Sequence, residues 1–201
     1  MSIFIPTYFS PISQYVEILD TDTIVFEIED NFQKQTYRNR CYIYGANGKQ
    51  LLNVPVKHLK TSGRKKTKDT LVENDFPWQN QHYKSLETAY RSSPFFEFFE
   101  DDLLKIFHKK YKYLLDVNID TFLFVSDAIQ TSQEFIKTSK YQLELNHDYR
   151  GLANAKVKHD YNIKPYTQVF DDKHGFIPNL SILDLLFMEG GNTFSILEAV
   201  K

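Results

Sequence analysis

Apolar and polar residues alternate over the first thirty positions in the order of a strand, a helix and a second strand. Residues 3–5 form a short apolar run that ends at a proline, and Ser10-Pro11 then supplies an N-cap residue followed by proline at the first helical position. Residues 23–28 are rich in β-branched and aromatic side chains and lead into an acidic end. Between these runs, apolar residues recur at helical spacing, namely Ile12, Tyr15, Val16 and Leu19. The pattern predicts a compact βαβ-like unit.

The middle of the chain is predicted to add a hairpin and a block of helices. Residues 40–44 and 50–56 are β-prone and flank Asn47-Gly48, which is a strong hairpin signal. A Lys-rich run opens residues 57–76 and predicts a mobile surface loop. Apolar residues at helical spacing over 77–131 predict three amphipathic helices, the third of them after Asn118. The fold class is therefore α/β, with an N-terminal βαβ-like unit, a β-hairpin and a central helical block.

Shorter elements are predicted towards the C-terminus. Residues 141–145 alternate between polar and apolar and indicate a short strand. Ser181 and Asp184 have the spacing of a capping box, with aspartate in place of the usual glutamate, and the helix that they open ends at Gly190-Gly191. A last short helix is predicted over residues 193–200.

Composition limits the classes of function. A chain of 201 residues is within the size range of one domain, so a single domain over 1–201 is expected. Its 24 Lys and Arg against 26 Asp and Glu argue against the broad basic surface of a nucleic-acid binder. Cys41 is the only cysteine, which excludes an intrachain disulfide. The N-terminus lacks the pattern of a secretory signal, and no apolar stretch reaches the roughly 18 residues of a membrane span, so a soluble cytoplasmic protein is expected.

The acidic end of the second predicted strand is the first candidate for chemistry. Glu27 and Glu29 are two residues apart and would point to the same side of a strand, with Asp30 at its end. Paired carboxylates can bind a cation or supply a general base, because their mutual repulsion raises one pKa. A strand edge that faces solvent fits the same residues equally well.

A run of hydrogen-bond donors follows directly. Arg38, Asn39 and Arg40 belong to a stretch with almost no carboxylates, and the planar guanidinium group suits a phosphate or carboxylate. These residues are therefore candidates for binding an anionic substrate group. The alternative is that the two arginines pair with Glu27 and Glu29 and stabilise the hairpin.

Two weaker candidates lie in the helical block. Trp78 and His82 are one helical turn apart and could stack on a ring and transfer a proton, although a core or rim position is the commoner fate of such a histidine. Arg91 precedes Ser92, Ser93 and a predicted helix N-terminus, where free N–H groups attract anions.

Several signatures of common enzyme classes are missing from the sequence. It contains no G-x-x-x-x-G-K, no G-x-G-x-x-G and no G-x-S-x-G, so ATPase, dinucleotide-binding and esterase functions have no motif in support. The triplet His-Asp-Tyr occurs at 147–149 and again at 159–161, but that separation matches no established metal geometry. The sequence thus indicates no metal site and no particular cofactor or oligomeric state.

Ordered motifs along most of the chain resemble the WbqC-like family. They include Pro6-Thr7-Tyr8, the acidic strand end, Tyr37-Arg38-Asn39-Arg40, Trp78 with His82, Ser93-Pro94-Phe95-Phe96 and Ser181-Ile182-Leu183-Asp184-Leu185-Leu186. Many members begin with a His-Gln-Pro-like stretch, where this chain has Phe4-Ile5-Pro6. The order of strand, helix and acidic strand is also similar to the nucleotidyltransferase-like α/β fold, so a three-layer or nucleotidyltransferase-like architecture is compatible with it.

The resemblance implies a pathway and no mechanism. The family is associated with bacterial O-antigen and related surface-polysaccharide genes, which leads to the expectation of a cytoplasmic protein of that biosynthesis. As an enzyme it would be a transferase acting on an anionic small molecule, such as a sugar nucleotide or an acyl precursor. Glu27 or Glu29 would be the base, Arg38 and Arg40 would bind the anion, and Trp78 with His82 would line the pocket. The alternative is a noncatalytic binding or assembly protein for a glycan-biosynthesis enzyme.

Overall fold

The computed structural model of the chain describes residues 1–57, 65–131, 134–143 and 145–200, and the elements below lie within them. The strands are β1 (Ser2–Phe4), β2 (Ile24–Phe26), β3 (Arg40–Gly45), β4 (Gly48–Asn53) and β5 (Phe135–Lys137). The helices are α1 (Ile12–Leu19), α2 (Trp78–Tyr90), α3 (Phe96–His108), α4 (Leu114–Ala128), α5 (Asp171–His174), α6 (Ile182–Glu189) and α7 (Thr193–Glu198). The predicted α/β class is confirmed.

A small parallel sheet organises the N-terminal half. Its strand order is β1-β2-β5, with Ile3 opposite Val25 and Val25 opposite Ile136. On the other side of β1, the backbone N–H of Ile3 donates to His147 and that of Tyr149 donates to Ile3, each at 2.9 Å. Residues 147–149 therefore extend the sheet in parallel, and the carboxyl ends of all these segments meet at one edge.

The predicted hairpin is confirmed. β3 and β4 pair antiparallel from Arg40 opposite Asn53 to Gly45 opposite Gly48, which leaves Ala46 and Asn47 as a two-residue loop. Gly48 has φ of 91°, a conformation that favours glycine and explains why the Asn-Gly step closes this turn.

The strand predicted over 141–145 is wrong for the residues that the structure describes there. Residues 141–143 form no strand, and the backbone N–H of Gln142 donates instead to the side chain of Glu27. The actual edge strand is β5, which had no sequence signal because only Phe135 of its three residues is partly buried. Backbone pairing to β2 holds this strand, and such pairing leaves no hydrophobic pattern.

Of the mobile loop predicted over 57–76, residues 58–64 lie outside the described residues. In the described part, Thr67–Asp69 form a short 3-10 turn, and Thr67, Thr70 and Val72 are almost fully buried. The backbone N–H of Thr67 donates to Asp30 and that of Phe32 donates to Lys65. These bonds join the segment to the chain that follows β2.

Three helices occupy the predicted helical block, but α4 begins earlier than expected. Leu114, Leu115 and Val117 are buried, so the first turn of α4 already belongs to the core and not to the preceding loop. Across the described part of the chain, every helix is too short or too polar to span a bilayer.

The C-terminal helices complete the core. In α6, Ile182, Leu183, Leu185, Leu186 and Phe187 are each 0% exposed. Ser181 caps this helix, since its Oγ accepts from the N–H of Leu183. The capping box is not completed. The Asp184 carboxylate instead accepts from Tyr90 at 2.7 Å, Tyr166 at 2.6 Å and Gln168 at 2.7 Å, because it is wholly buried and takes the donors that surround it.

Candidate functional site

A cleft of about 820 Å³ opens at the carboxyl edge of the parallel sheet, and we call it the first cleft. Its lining residues include members of the segments that follow β1, β2 and β5, and of the segment that begins with residues 147–149. They comprise Ile5, Glu29, Asp30, Asn31, Gln33, Arg38, Lys66, Tyr141, Asp148, Arg150, Gly151 and Asn154. In open α/β sheets, ligands bind outside the carboxyl ends of the strands, and this volume is within the usual range of small-molecule sites.

Glu29 lies in this cleft between two lysines. Lys66 and Lys68 both donate to its carboxylate, the second at 2.5 Å. Hydrogen bonds from Lys66 and then Lys68 lower the pKa of Glu29 below its usual value. A carboxylate with a lowered pKa is a weak base at neutral pH, so the geometry favours Glu29 as a hydrogen-bond acceptor over the predicted role of general base.

Asp30 and Arg38 form a buried ion pair in the wall of the cleft. The guanidinium of Arg38 also donates to Thr36 Oγ1 at 3.3 Å, while the backbone carbonyl of Arg38 accepts from Asn118 of α4 at 2.8 Å. Among the described residues, neither Arg38 Nε nor Asp30 Oδ1 has a hydrogen-bond partner. Buried polar atoms usually have one, so the hydrogen-bonding capacity of this pair is not fully used by the protein.

Arg150 is held by the segment that extends the sheet beyond β1. Its guanidinium binds Asp148 through Nε at 2.9 Å and a terminal nitrogen at 2.5 Å, and it donates to the carbonyl of Gln142 at 2.6 Å. The hydrogen bond from Arg150 lowers the pKa of Asp148. The ring of Tyr141, 49% exposed, lies 5.0 Å from the guanidinium carbon. The cleft thus presents a fixed cation beside an aromatic face.

Glu27 supports this arrangement from behind. Its carboxylate is 0% exposed and accepts from the N–H of Glu29 and the hydroxyl of Thr138, both at 2.8 Å, and from the N–H of Gln142. One oxygen lies 3.7 Å from Arg150. A wholly buried carboxylate with these partners supports the cleft wall, and Glu27, predicted as a base, is not among the residues that line the cleft.

Asn39 and Arg40 line a different cleft of about 550 Å³, which we call the second cleft. It lies at the base of the hairpin and comprises Phe32, Lys34, Gln35, Asn39, Arg40, Asn53, Pro55, Val56, Glu73 and Phe76. The single anion site predicted for residues 38–40 is therefore divided, because Arg38 lines the first cleft whereas Asn39 and Arg40 line the second.

Trp78 and His82 line neither of these two clefts. Both are almost fully buried, with the His82 Nδ1 2.9 Å from the Tyr8 hydroxyl and the two rings of Trp78 and His82 5.3 Å apart. Burial lowers the pKa of His82 to about 4. The predicted pocket wall is a core contact between α2 and the chain after β1, since the apolar face of α2 carries both residues inward.

Arg91 lies on the surface at the end of α2. It forms ion pairs with Glu87 and Glu100, each at 2.6 Å. An anion site was expected at Arg91. The carboxylates of α2 and α3 bind its guanidinium group instead and neutralise its charge.

Sequence reasoning missed Lys66, Asp148 and Arg150. Lys66 is in the segment that was predicted as a mobile surface loop, and Asp148 is in the repeated His-Asp-Tyr triplet. A usable signal was the Asp-x-Arg spacing at 148–150, which allows the two-point contact seen here. Among the described residues, no three or more His, Cys, Asp or Glu side chains are grouped to hold a metal ion.

The fold and the first cleft define an α/β protein with a charged, ligand-sized site at the carboxyl edge of a small parallel sheet. The chain belongs to the WbqC-like protein family, whose sequence model matches residues 6–157. No curated protein and no solved structure matches it. The matched range contains every charged residue of the first cleft, so the cleft is formed within the part of the chain that defines the family.

Proposed function

We propose that the protein binds an anionic, hydroxyl-rich small molecule in the first cleft, such as a sugar nucleotide, and works in the cytoplasmic biosynthesis of bacterial surface polysaccharide. The observation that carries this proposal is the position of Arg38, Lys66 and Arg150 at the carboxyl edge of the parallel sheet. The pathway rests on membership of the WbqC-like family.

The mixed charge of the cleft supports this class of ligand. Arginine and lysine bind phosphate oxygens, and Arg150 is held in a fixed position by Asp148. Glu29, Asp30 and Asp148 accept hydrogen bonds from sugar hydroxyls, while Tyr141 offers a ring face for a base or sugar. A ligand with only anionic groups would meet the carboxylates unfavourably, so hydroxyl groups are part of the expected chemistry.

The reaction that we propose is transfer of a group from an activated sugar or acyl precursor. The alternative of a noncatalytic binding protein has one specific observation in its favour, which is that Glu29 is neutralised by two lysines and is a weak base. The transferase and the noncatalytic binding protein would bind the same ligand, and they differ only in whether the protein converts that ligand to a product.

Lys66→Ala tests the binding site. Lys66 is partly exposed and Lys68 still pairs with Glu29 in the variant, so the fold should persist. Loss of one charge-assisted contact should weaken the binding of UDP-glucose or a related sugar nucleotide by about tenfold in isothermal titration. Lys105→Ala, which removes an exposed lysine of α3 outside the cleft, should leave the dissociation constant unchanged.

Equal affinity in wild type and both variants, or no binding of any sugar nucleotide, would contradict the proposal. Phosphorus NMR of the bound ligand then separates the two alternatives. Release of nucleoside diphosphate in the presence of an acceptor supports a transferase, and unchanged ligand in the same mixtures supports a noncatalytic binding protein.

A further inference from the structure

The second cleft has the composition of a carbohydrate site. Lys34 and Arg40 supply positive charge, and Gln35, Asn39 and Asn53 supply amide groups. Phe32 and Phe76 supply ring faces against which the C–H groups of a sugar can pack. A few polar groups around an apolar surface are the usual content of a small-molecule site.

The charge of this cleft favours an anion. Within the described residues, neither Lys34 nor Arg40 takes part in an ion pair. Glu73, the carboxylate in its lining, has Lys57 at 3.8 Å and accepts the N–H of Asp75 at 3.1 Å. The lining therefore contains two cations with no counter-ion among the described residues, and one carboxylate that already has partners.

Two buried polar atoms of the cleft residues also lack partners. Asn39 is 6% exposed, and its Nδ2 donates to Asn53 and to the carbonyl of Val54, each at 3.0 Å. Its Oδ1 and the Nε of Arg40 have no hydrogen-bond partner among the described residues. The protein therefore leaves part of the hydrogen-bonding capacity of the residues under this cleft unused.

Phe76 presents an exposed aromatic ring in the site. Its side chain is 63% exposed beside these polar groups, although large apolar residues are normally covered. Together with the partly buried Phe32, it gives the cleft an apolar face that a simple phosphate ion would not use.

The two clefts share one segment of chain. Asn31 and Gln33 line the first cleft, whereas Phe32 and Lys34 line the second. Arg38 and Arg40 divide in the same way. The segment from Asn31 to Arg40 therefore contributes residues to both clefts.

We propose that the second cleft is a separate binding site for an anionic monosaccharide, either a sugar phosphate or a sugar acid. Lys34 and Arg40 bind the phosphate or carboxylate group, the exposed amide of Gln35 bonds a hydroxyl, and the sugar ring packs against Phe76. This site is distinct from the sugar-nucleotide site and its occupation does not depend on that proposal.

A titration followed by ¹H–¹⁵N NMR tests this site, with glucose 1-phosphate and galacturonic acid as probes and glucose as the uncharged control. Both anionic probes should shift the backbone signals of residues 32–35 and the Nε–H signal of Arg40, and glucose should shift them far less. The phosphate and carboxylate probes also show which anion is preferred.

Two variants with exposed side chains keep the test independent of folding. Lys34→Ala should weaken probe binding by about tenfold, the effect of one charge-assisted hydrogen bond, and Phe76→Ala should weaken it by several-fold. Lys49→Ala, an exposed lysine of the same hairpin outside this cleft, should bind as wild type does.

The proposal is overturned if neither anionic probe shifts these signals, if glucose shifts them equally, or if Lys34→Ala binds as wild type does. It is also overturned if the shifts map to the first cleft and are lost in Lys66→Ala, a result that would leave the first cleft as a ligand site. Unchanged probe binding in Lys66→Ala supports two separate sites.

Discussion

The imidazole of His82 is 6% exposed and its Nδ1 lies 2.9 Å from the Tyr8 hydroxyl. Burial disfavours the charged form and lowers the pKa to about 4, with a smaller opposing contribution from a hydrogen bond at the backbone of Asn53. Between that value and the ordinary 6.5, the unfolded chain binds a proton that the folded chain does not. Stability from this residue is therefore present above pH 6.5 and lost as the pH falls towards 4.

His82→Gln should make unfolding less dependent on pH. In the wild type, His82 should contribute a loss of about 3 kcal/mol in the free energy of unfolding between pH 6.5 and pH 4. Urea unfolding at several pH values should show this part of the slope missing in the variant. His108→Gln, which replaces an exposed histidine of α3, is the matched control. A wild-type slope in His82→Gln would show that His82 is not held neutral.

At the scale of elements, α6 depends on a cap that also joins it to the chain before α1. Ser181 Oγ accepts from Leu183 at 3.3 Å and donates to the carbonyl of Phe9 at 2.9 Å. The backbone supports the same junction, since the N–H of Ile12 donates to Leu180 and that of Ile182 donates to Ser10. One hydroxyl thus accepts a hydrogen bond from a helix N–H that has no partner within the helix. The same hydroxyl joins α6 to the chain before α1, which is distant in the sequence.

Ser181→Ala should lower the free energy of unfolding by about 1–2 kcal/mol, the usual cost of a lost N-cap. The exposed Ser92, in the turn between α2 and α3, provides the control, because Ser92→Ala removes no hydrogen bond among those that the described residues make. Chemical denaturation of both variants measures the difference. Equal stability of Ser181→Ala and wild type would mean that backbone contacts alone hold this junction.

At the scale of the whole molecule, the core extends beyond the segment that the family model matches. That match ends at residue 157, yet α6 contributes fully buried side chains to the same cluster as α1 and α2. Phe187 is 0% exposed, with its ring 5.2 Å from that of Tyr90 and 5.1 Å from that of Phe96. The C-terminal helices are thus structural support for the family segment.

Phe187→Ala should therefore lower the free energy of unfolding by about 3–5 kcal/mol, the range found for buried phenylalanine. Phe98→Ala removes the same side chain from a position that is 77% exposed and should change stability by less than about 0.5 kcal/mol. Thermal or urea unfolding compares the two. Similar losses in both variants would contradict the assignment of α6 to the core.

Hydrophobic pattern and turn residues were sufficient for much of the fold. The βαβ-like start, the hairpin at Gly48 and three central helices follow from local spacing, because each repeats the period of its own element. One prediction from the same kind of pattern was wrong and one strand was missed. Residues 141–143 form no strand, and Gln142 is bonded to Glu27 instead, whereas β5 carries no pattern of its own.

The candidate site was only partly accessible from the sequence. Glu29 and Arg38 were named from residue type and lie in the first cleft, whereas Arg150 and Lys66 reach it from distant parts of the chain. The sequence alone does not distinguish His82 from Arg38 as a site residue. In the structure, His82 is buried against Tyr8, whereas Arg38 lines the first cleft. Local spacing determined which elements form, since hydrogen bonding within an element depends on neighbouring residues. The meeting of four chain segments at one edge of the sheet, and with it the composition of each cleft, came from long-range packing that no local pattern encodes.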